Sequence, residues 1–359
     1  VLFRSWDMKR RIHLIATFCL AGALALTGAG CSKNGPALPE APTEVVPVAG
    51  LATPVPTTQD PTATTPAAGG ETETTAAADN AQKKVSTVLY YQDASGYVVP
   101  VMREIPYTEG IAKAALMKLV ASEEDQQALA ARGVEAPIPE GSQIDLDIAG
   151  GVASVDVQLS EQLASSQDES CMLAAVVNTL MEFESVNQVK VLINGQKIAK
   201  LPQGTEIKEV YDQKIENMDP MGMPSSANAQ TQLYFANQTG SFLVPVKRVT
   251  TGEITALTAA QAMTDPGPTG KLVSLLPPNC RVLSVNVSDD GIATVDVSEE
   301  FLSLSALPAN EQMAVRGMNL ALTSIEGVKQ VNITVEGEAY EPVAATLGTG
   351  SGSEYLNTM

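Results

Sequence analysis

The chain has 359 residues, a formal net charge of −19 and 44% hydrophobic residues, but only 4% aromatic residues. This length allows roughly two domains of 100–200 residues, and their cores must be mostly aliphatic. The acidic balance argues against nucleic-acid binding, because binding to a phosphate backbone requires a basic surface. The four cysteines are too few for a disulfide scaffold and include no Cys-x-x-Cys pair.

Residues 1–30 have the pattern of a secretory signal peptide, with the true start predicted at Met8. A basic stretch precedes an apolar run from Ile12 to Leu26, and the small residues Gly28-Ala29-Gly30 lead into Cys31. The apolar run is too short to span a bilayer comfortably. The segment resembles the lipobox of bacterial lipoproteins, although glycine replaces the usual leucine at position 28, and this resemblance predicts lipidation of Cys31. The alternative is an ordinary signal peptide followed by a chance cysteine.

Residues 31–84 are rich in Pro, Thr and Ala and contain no aromatic residue. Such a segment buries too little apolar surface to repay the entropy of ordering it. We therefore predict a disordered tether between the lipid site and the folded region. Small and polar residues also predict a linker at 206–229 and a disordered tail at 346–359.

An internal repeat begins near residue 85. The segment Gly151–Val157 recurs almost unchanged as Gly291–Val297. Other matching segments are Leu89-Tyr90-Tyr91 with Leu233-Tyr234-Phe235, and Gly96–Arg103 with Ser241–Arg248. An apolar pattern then continues without gaps, pairing Val176, Leu180, Phe183, Val186, Val189, Val191, Ile193 and Gly195 with Met318, Leu322, Ile325, Val328, Val331, Ile333, Val335 and Gly337. The repeat predicts two domains, at 85–205 and 230–345.

Each copy is predicted to contain two β-rich stretches, a helix, a hairpin, a second helix and a last strand. In copy one, an apolar stripe from Ile111 to Val120 predicts the first helix, and alternation on either side of Gly150-Gly151 predicts the hairpin. The second helix is predicted from Asp168 to Phe183, with Asp168 as its N-cap, and Asn310 takes that place in copy two. This order indicates an α+β class, with helices on one face of a sheet in each small sandwich.

The repeated motifs resemble the GerM domain of envelope lipoproteins in Gram-positive bacteria. Copy one carries them as Tyr90-Tyr91, Val98–Arg103, Ile138-Pro139-Glu140-Gly141-Ser142, Ala153–Asp156 and Asn178–Phe183. Copy two departs from the pattern: we interpret Cys280 as the replacement of the glycine before the hairpin, and Leu320-Ala321-Leu322 replaces Asn-Thr-Leu.

This resemblance implies two tandem βαββαβ-like domains, similar to the ring-building domains of secretion-type assemblies. In endospore formers it implies a lipoprotein that supports the channel complex between mother cell and forespore. It implies no catalytic activity, and its expected partners are envelope or sporulation-channel proteins.

Catalytic and cofactor-binding signatures are missing from the sequence. The sole histidine, His13, lies in the signal peptide, so the mature chain lacks a Ser-His or Cys-His nucleophile and a histidine metal site. No glycine-rich phosphate loop follows a strand into a helix. We therefore predict no enzyme, no cofactor and no metal, and we interpret the repeated Asp156 and Asp296 as solvated residues at strand ends.

Two arginines recur at equivalent positions, Arg103 and Arg248, each next to an apolar strand. They could pair with carboxylates of a partner protein, and they are the candidate partner contacts of this chain. The alternative is that both are exposed arginines at strand ends. The two cysteines Cys171 and Cys280 are not equivalent, and we interpret them as small, buried or half-buried residues.

The sequence as a whole predicts a non-enzymatic protein, lipid-anchored at the extracytoplasmic face of the cell membrane. It would act as an assembly or scaffold component of the envelope in sporulation or germination, through strand-edge or helix-face contacts. Repeated copies of such a fold also suit a homo-oligomer. The alternative is a solute- or cell-wall-binding lipoprotein, against which the scarcity of aromatic residues argues.

Overall fold

A computed structural model describes residues 83–219, 229–265, 267–268, 271–342 and 357–359. Within these ranges the chain forms two α+β repeats that belong to one compact unit. The predicted fold class is confirmed. The predicted signal peptide, the lipid site Cys31 and the tether up to residue 82 lie outside the described residues. The disorder prediction is wrong for the end of the tether, because Lys84 begins the first strand and the Lys83 carbonyl accepts the Tyr107 N–H.

Repeat one contains six strands and three helices. In chain order they are β1 (Lys84–Asp93), β2 (Val98–Pro106), α1 (Ile111–Met117), α2 (Glu123–Ala130), β3 (Val134–Glu135), β4 (Gln143–Ala149), β5 (Val152–Gln158), α3 (Ser166–Leu180) and β6 (Gln188–Ile193). Helix α2 was not predicted from the sequence, because its polar surface gives little apolar periodicity.

Repeat two follows a similar order, but among the described residues it has no counterparts of α2 and β3, and it adds a 3-10 helix and a short last strand. Its elements are β7 (Ala229–Ala236), β8 (Leu243–Thr250), α4 (Ala256–Ala262), β9 (Val282–Val287), β10 (Ile292–Val297), a 3-10 helix (Glu299–Ala306), α5 (Pro308–Thr323), β11 (Gln330–Val335) and β12 (Glu338–Ala339).

Each repeat combines an antiparallel hairpin with a separate mixed sheet. The hairpins are β1–β2, extended by β3, and β7–β8. The mixed sheets have the orders β4-β5-β6 and β12-β11-β10-β9. In both sheets the last long strand runs parallel to its neighbour, and the register is the same, since Ala153 pairs with Val189 and Ala293 with Val331.

Helix α3 forms the centre of repeat one. Eleven of its residues are buried, including three polar residues, Glu169, Asn178 and Thr179. A helix buried on nearly all sides packs against more than one layer, and α3 contacts the hairpin strand β1 and helix α1. Helix α5 is placed similarly in repeat two, against β7, β11 and α4. Alternate strand residues such as Val155 and Val295 complete the cores.

Three details differ from the sequence predictions. The N-cap of α3 is Ser165, whose side chain accepts a hydrogen bond from the Asp168 N–H, so Asp168 lies inside the first turn. Helix α5 begins with Pro308 at its first position, so Asn310 is not the N-cap. The glycine before the hairpin is replaced by Asn279, not by Cys280, because Gly141 and Asn279 share the left-handed conformation, at φ 80° and 65°.

The predicted linker and tail are partly ordered. Residues 206–219 follow repeat one closely, and Tyr211 pairs with Val189 on the edge of β6. Thr358, predicted to be in a disordered tail, forms a parallel bridge with Met102 of β2. For residues 357–359 the disorder prediction is wrong, and the reason is that their partners lie far away in the sequence.

Candidate functional site at the seam between the repeats

The two hairpins meet through β2 and β8. Two short segments, 217–219 and 357–359, each connect these strands, and we call β2, β8 and the two segments the seam. Because every contact in the seam joins residues distant in the sequence, it fixes one repeat on the other.

Asn217 is the first connector. Its side-chain oxygen accepts the Val98 N–H at 2.9 Å, and its amide nitrogen donates to the carbonyls of Val98 and Pro245, each at 2.8 Å. Its own carbonyl accepts the Lys247 N–H at 2.7 Å. One asparagine thus satisfies main-chain groups of both β2 and β8.

Asn357 is the second connector, and it is only 6% exposed. Its side-chain oxygen accepts the Leu243 N–H at 2.7 Å, and its amide nitrogen donates to the carbonyls of Pro100 at 2.7 Å and Leu243 at 2.9 Å. Its own carbonyl accepts the Met102 N–H at 2.8 Å.

The two connectors are related by the repeat itself. Val98, Pro100 and Met102 occupy the same positions in copy one as Leu243, Pro245 and Lys247 occupy in copy two. Exchanging the repeats therefore exchanges the bonds of Asn217 with those of Asn357. The seam has the self-complementary pattern of a two-fold dimer interface, formed here within a single chain.

The hairpin turns reinforce this arrangement. The Ser95 hydroxyl of repeat one donates to the carbonyl of Lys271 at 2.7 Å. On the other side, the Asn237 amide and the Thr239 hydroxyl of repeat two donate to the carbonyl of Arg132, at 2.7 and 2.8 Å. The hairpin turn of each repeat is thus hydrogen-bonded to a loop of the other repeat.

One pair of equivalent residues breaks the symmetry. Asp93 and Asn237 are both buried, and their side chains accept main-chain N–H groups of their own turns. The Asn237 amide nitrogen binds across the seam, whereas Asp93 Oδ2 is buried without a hydrogen-bond partner among the described residues. Burial raises the pKa of Asp93, although hydrogen bonds from Tyr97 and Ser95 act in the opposite direction.

Arg103, a candidate partner contact, lies in an ion-pair network inside repeat one. Its guanidinium donates to the Tyr91 hydroxyl and to Asp125, each at 2.8 Å, and Lys118 also binds Asp125, at 3.0 Å. Burial opposes ionisation of Asp125, but the hydrogen bonds and charges of Arg103 and Lys118 lower its pKa below the usual value. Burial also raises the pKa of Tyr91 to about 12.

Arg248, the equivalent arginine, has different anions. Its guanidinium donates to Asp219 at 2.7 Å and to Asp265 at 2.9 Å. The side chains of Arg103 and Arg248 are only 14% and 13% exposed. Both arginines therefore form ion pairs within this chain, and a contact with a partner protein stays a prediction.

The repeated aspartates close turns. Asp156 accepts the Gly195 N–H at 2.8 Å, and Asp296 accepts the Gly337 N–H at 2.8 Å and the Thr334 hydroxyl at 2.7 Å. The Ala-x-Val-Asp motif thus joins the return strand of the hairpin to the turn after the last strand, which is a structural role.

The two described cysteines are free and buried. Burial raises the pKa of the Cys171 thiol to about 11 and raises that of Cys280, so neither thiol is a ready nucleophile. In the described part of the chain, no group of three or more His, Cys, Asp or Glu residues is placed to hold a metal ion. None of the described helices has both the length and the apolar character needed to cross a membrane.

Sequence reasoning missed Asn217 and Asn357. A signal was present, because they lie 22 and 20 residues after the equivalent glycines Gly195 and Gly337, each with a methionine one or two positions later. The two segments share too few residues for the repeat to be recognised there without the fold.

Comparisons with known proteins agree with the repeat and the fold. The spore germination protein GerM of Bacillus subtilis strain 168 is 28% identical over 356 residues, which cover 92% of this chain and 93% of that protein. The solved tandem GerMN domains of the Bacillus subtilis sporulation protein GerM share the fold, with a TM-score of 0.56 and 24% identity, covering 77% of this chain and 99% of the other.

The family model described as Germane, sporulation and spore germination, matches residues 88–199 and 232–341, one match in each repeat. The resemblance inferred from the motifs is thereby confirmed, and the chain belongs to the Germane family.

Proposed function

We propose that this chain is a non-enzymatic assembly component of the cell envelope, acting in sporulation or germination. Its family and its Bacillus subtilis relative support the biological setting. The seam supports the mechanism, because a protein that positions other proteins must hold its own binding surfaces at a fixed separation and angle.

The observation that carries the proposal is the paired asparagine connection. Asn217 and Asn357 together make six side-chain hydrogen bonds to main-chain groups of β2 and β8. Domains in tandem ordinarily move relative to one another unless a large or specific interface prevents it. The seam makes the two repeats one rigid block with surfaces on both sides.

We further propose that Cys31 carries a lipid and holds this block at the extracytoplasmic face of the membrane. The 51 residues from 32 to 82 would then form the tether. As a flexible coil of this length, the tether would place the repeats roughly 40 Å from the membrane, within reach of membrane-embedded partners.

The proposal is tested by expression in Bacillus subtilis lacking its own spore germination protein GerM. We expect the full chain to restore spore yield and to remain with the membrane fraction. The Cys31→Ser variant should accumulate in the soluble fraction and fail to restore spore yield. The matched control is Cys280→Ser, which leaves the lipid site intact and should behave like the parent.

Two results would overturn this proposal. Full restoration by a soluble Cys31→Ser variant would remove the membrane anchor from the mechanism. If immunoblots show that the full chain is stable and membrane-bound and spore yield is still not restored, the shared sporulation role is ruled out.

A further inference from the structure

Strands β4 and β9 are the equivalent edge strands of the two mixed sheets, and each pairs with one neighbour among the described strands. The hairpin after β9 is closed by the Ser288 N–H, which donates to the carbonyl of Ile292. Because the main-chain groups of successive residues point to opposite sides of a strand, those of Val285 and Val287 face away from β10. In the described part of the chain, these outward groups have no hydrogen-bond partner. Repeat one, described without a gap over 83–219, places no segment on the outer edge of β4 either, so the fold supplies no cover there.

The edge of β4 is protected by charges. Asp145 and Asp147 are exposed on it. The Asp145 carboxylate accepts the main-chain N–H of Leu146 at 3.2 Å and pairs with Lys113 of α1 at 3.3 Å. In an antiparallel pair of two β4 strands centred on Leu146, each Asp145 would lie opposite an Asp147, and like charges in opposed positions are destabilising. Repeat one therefore resists pairing with a copy of its own edge.

Repeat two has an uncharged residue at each of these positions. The registers of the two hairpins and the buried residues of α1 and α4 define the equivalences. The replacements are Lys113 by Leu257, Asp145 by Ser284, Leu146 by Val285 and Asp147 by Asn286. Leu257, Leu283 and Val287 are 37%, 42% and 46% exposed. The protecting charges of β4 are thus replaced in β9 by a neutral strand with exposed apolar side chains beside it.

Charged residues flank β9 at its two ends. Arg281 precedes the strand, Asp289 and Asp290 lie in the turn after it, and all three are exposed. None of them forms an ion pair with a described residue. In an antiparallel pair of two β9 strands centred on Val285, Arg281 of each copy lies opposite Asp289 of the other, because these residues are four positions before and after Val285. The edge of β9 is therefore complementary in charge to a second copy of itself.

The β9 strand contains a bulge that this pairing must accommodate. The register between β9 and β10 shifts at Leu283, between Val282 and Ser284. Such a bulge displaces Arg281 by at most one residue, about 3.4 Å along the strand. The arginine side chain is long enough to bridge this displacement, so the ion pairs remain within reach.

We propose that β9 pairs with β9 of a second copy of this chain, as a two-fold antiparallel strand pair centred on Val285. The two strands exchange the main-chain hydrogen bonds of Val285 and bring Val287 of each copy beside Leu283 of the other. Two Arg281–Asp289 ion pairs close the ends. A second copy fits this edge because it supplies a neutral strand and opposite end charges in one register. This inference goes beyond the assembly function proposed above and does not depend on it.

The test uses the soluble Cys31→Ser chain, so that no lipid contributes to association. We expect sedimentation equilibrium to show reversible dimers below about 300 µM protein. In hydrogen exchange, the Val285 amide should exchange fast in the dilute monomer and at least tenfold more slowly in the dimer. The Leu146 amide, at the equivalent position of β4, should not change with protein concentration.

The first protein variant gives β9 the charges of β4. Ser284→Asp combined with Asn286→Asp should weaken dimerisation at least tenfold, because aspartates of the two copies would then oppose each other. Its melting temperature should stay close to that of the parent, since β4 carries aspartates at the same positions. The matched control is Gln126→Glu combined with Gln127→Glu, which adds the same charge on the exposed surface of α2 and should leave dimerisation unchanged.

A charge exchange tests the register. Asp289→Arg alone should weaken dimerisation about threefold to tenfold by breaking two exposed ion pairs, although it lowers the net negative charge. Arg281→Asp alone should do the same. Both changes in one chain should restore dimerisation to within about twofold of the parent, because each copy again presents opposite charges in the same register.

Four results would overturn the inference. They are a chain that stays monomeric up to about 300 µM, a dimer that the aspartates in β9 leave unchanged, a charge exchange that restores nothing, and a Val285 amide that is already slow in the dilute monomer. The last result would mean that residues of this chain cover the edge. None of the four depends on spore yield, so failure here is distinguishable from failure of the assembly function.

Discussion

The two repeats share one fold but treat the edges of their sheets differently. In repeat one, the segment around Tyr211 covers β6, and the outer strand β4 exposes Asp145 and Asp147. In repeat two, β12 and Tyr340 pair with β11 as far as Ile333 among the described residues, and β9 exposes Leu283 and Val287 by 42% and 46%. Charges on an edge discourage strand addition, and uncharged open edges permit it. Among the described residues, repeat one therefore protects the edges of its mixed sheet more fully than repeat two does.

The ion pairs of the equivalent arginines Arg103 and Arg248 also differ between the repeats. The anion of Arg103 comes from the additional helix α2 and is 12% exposed, whereas one anion of Arg248, Asp265, is 60% exposed. The other anion, Asp219, is fully buried and belongs to the segment after repeat one. Repeat two therefore obtains part of its internal ion pairing from the seam, which couples its stability to that of repeat one.

The largest expected loss of stability comes from removing the carboxylate that pairs with Arg103. Asp125→Ala leaves a largely buried guanidinium without its carboxylate, and we expect a loss of about 3–5 kcal/mol in the free energy of unfolding. Asp265→Ala in repeat two should cost about 1 kcal/mol or less, because this carboxylate is exposed and Arg248 keeps Asp219. Urea unfolding of both variants measures the difference, and equal losses would contradict the division between the repeats.

Loss of a seam connector comes next. Asn357→Ala leaves the main-chain groups of Leu243 and Pro100 without their partner, and we expect a loss of about 2–3 kcal/mol. Asn217→Ala should have a similar effect, because its bonds are equivalent. Urea unfolding monitored by circular dichroism should show one transition for the parent. The double variant should show two transitions, because its repeats would then unfold separately. A single transition for the double variant would show that other contacts join the repeats.

Sequence reasoning predicted the repeat, the family, the α+β class and the hairpin well, because apolar alternation and the Ala-x-Val-Asp motif are local signals. It missed α2, whose polar surface has little periodicity, and it misplaced the N-caps at Asp168 and Asn310 because serine or proline nearby begins the helix instead. The seam was invisible for a different reason. A single asparagine in a polar segment has no local signature, and its role depends on strands that lie between 28 and 257 residues away in the sequence.

A smaller loss of stability is expected from substitutions where a hairpin turn of one repeat contacts the other repeat. Gly133 and Gly240 both have left-handed backbones, at φ 71° and 66°, but a Cβ on Gly133 would lie 2.6 Å from a Thr239 side-chain carbon, whereas a Cβ on Gly240 would have no atom within 4 Å. Both alanine variants share the strain of a left-handed backbone, about 1–2 kcal/mol. We expect Gly133→Ala to lose roughly a further 1 kcal/mol from the seam contact. Equal melting temperatures for the two variants would show that Thr239 moves away freely.

The smallest effect tests the asymmetry between Asp93 and Asn237. Burial raises the pKa of Asp93, so the folded chain holds this proton to a higher pH than the unfolded chain does. The resulting stability is fully present below the pKa of Asp93 in the unfolded chain, which is about 3.9. It is lost as the pH rises through the pKa of Asp93 in the folded chain. Glu135 and Lys271 also face this carboxyl, with opposite charges.

Asp93→Asn removes this titration and supplies the amide nitrogen that Asn237 already uses across the seam. We expect the variant to be about 1 kcal/mol more stable than the parent at pH 7 and to lose less stability than the parent between pH 4 and pH 7. Asn237→Asp is the matched control, and it should acquire the pH dependence of the parent at a second site. A variant less stable than the parent at every pH would show that the ionised Asp93 carboxylate, despite its burial, is the form that the seam requires.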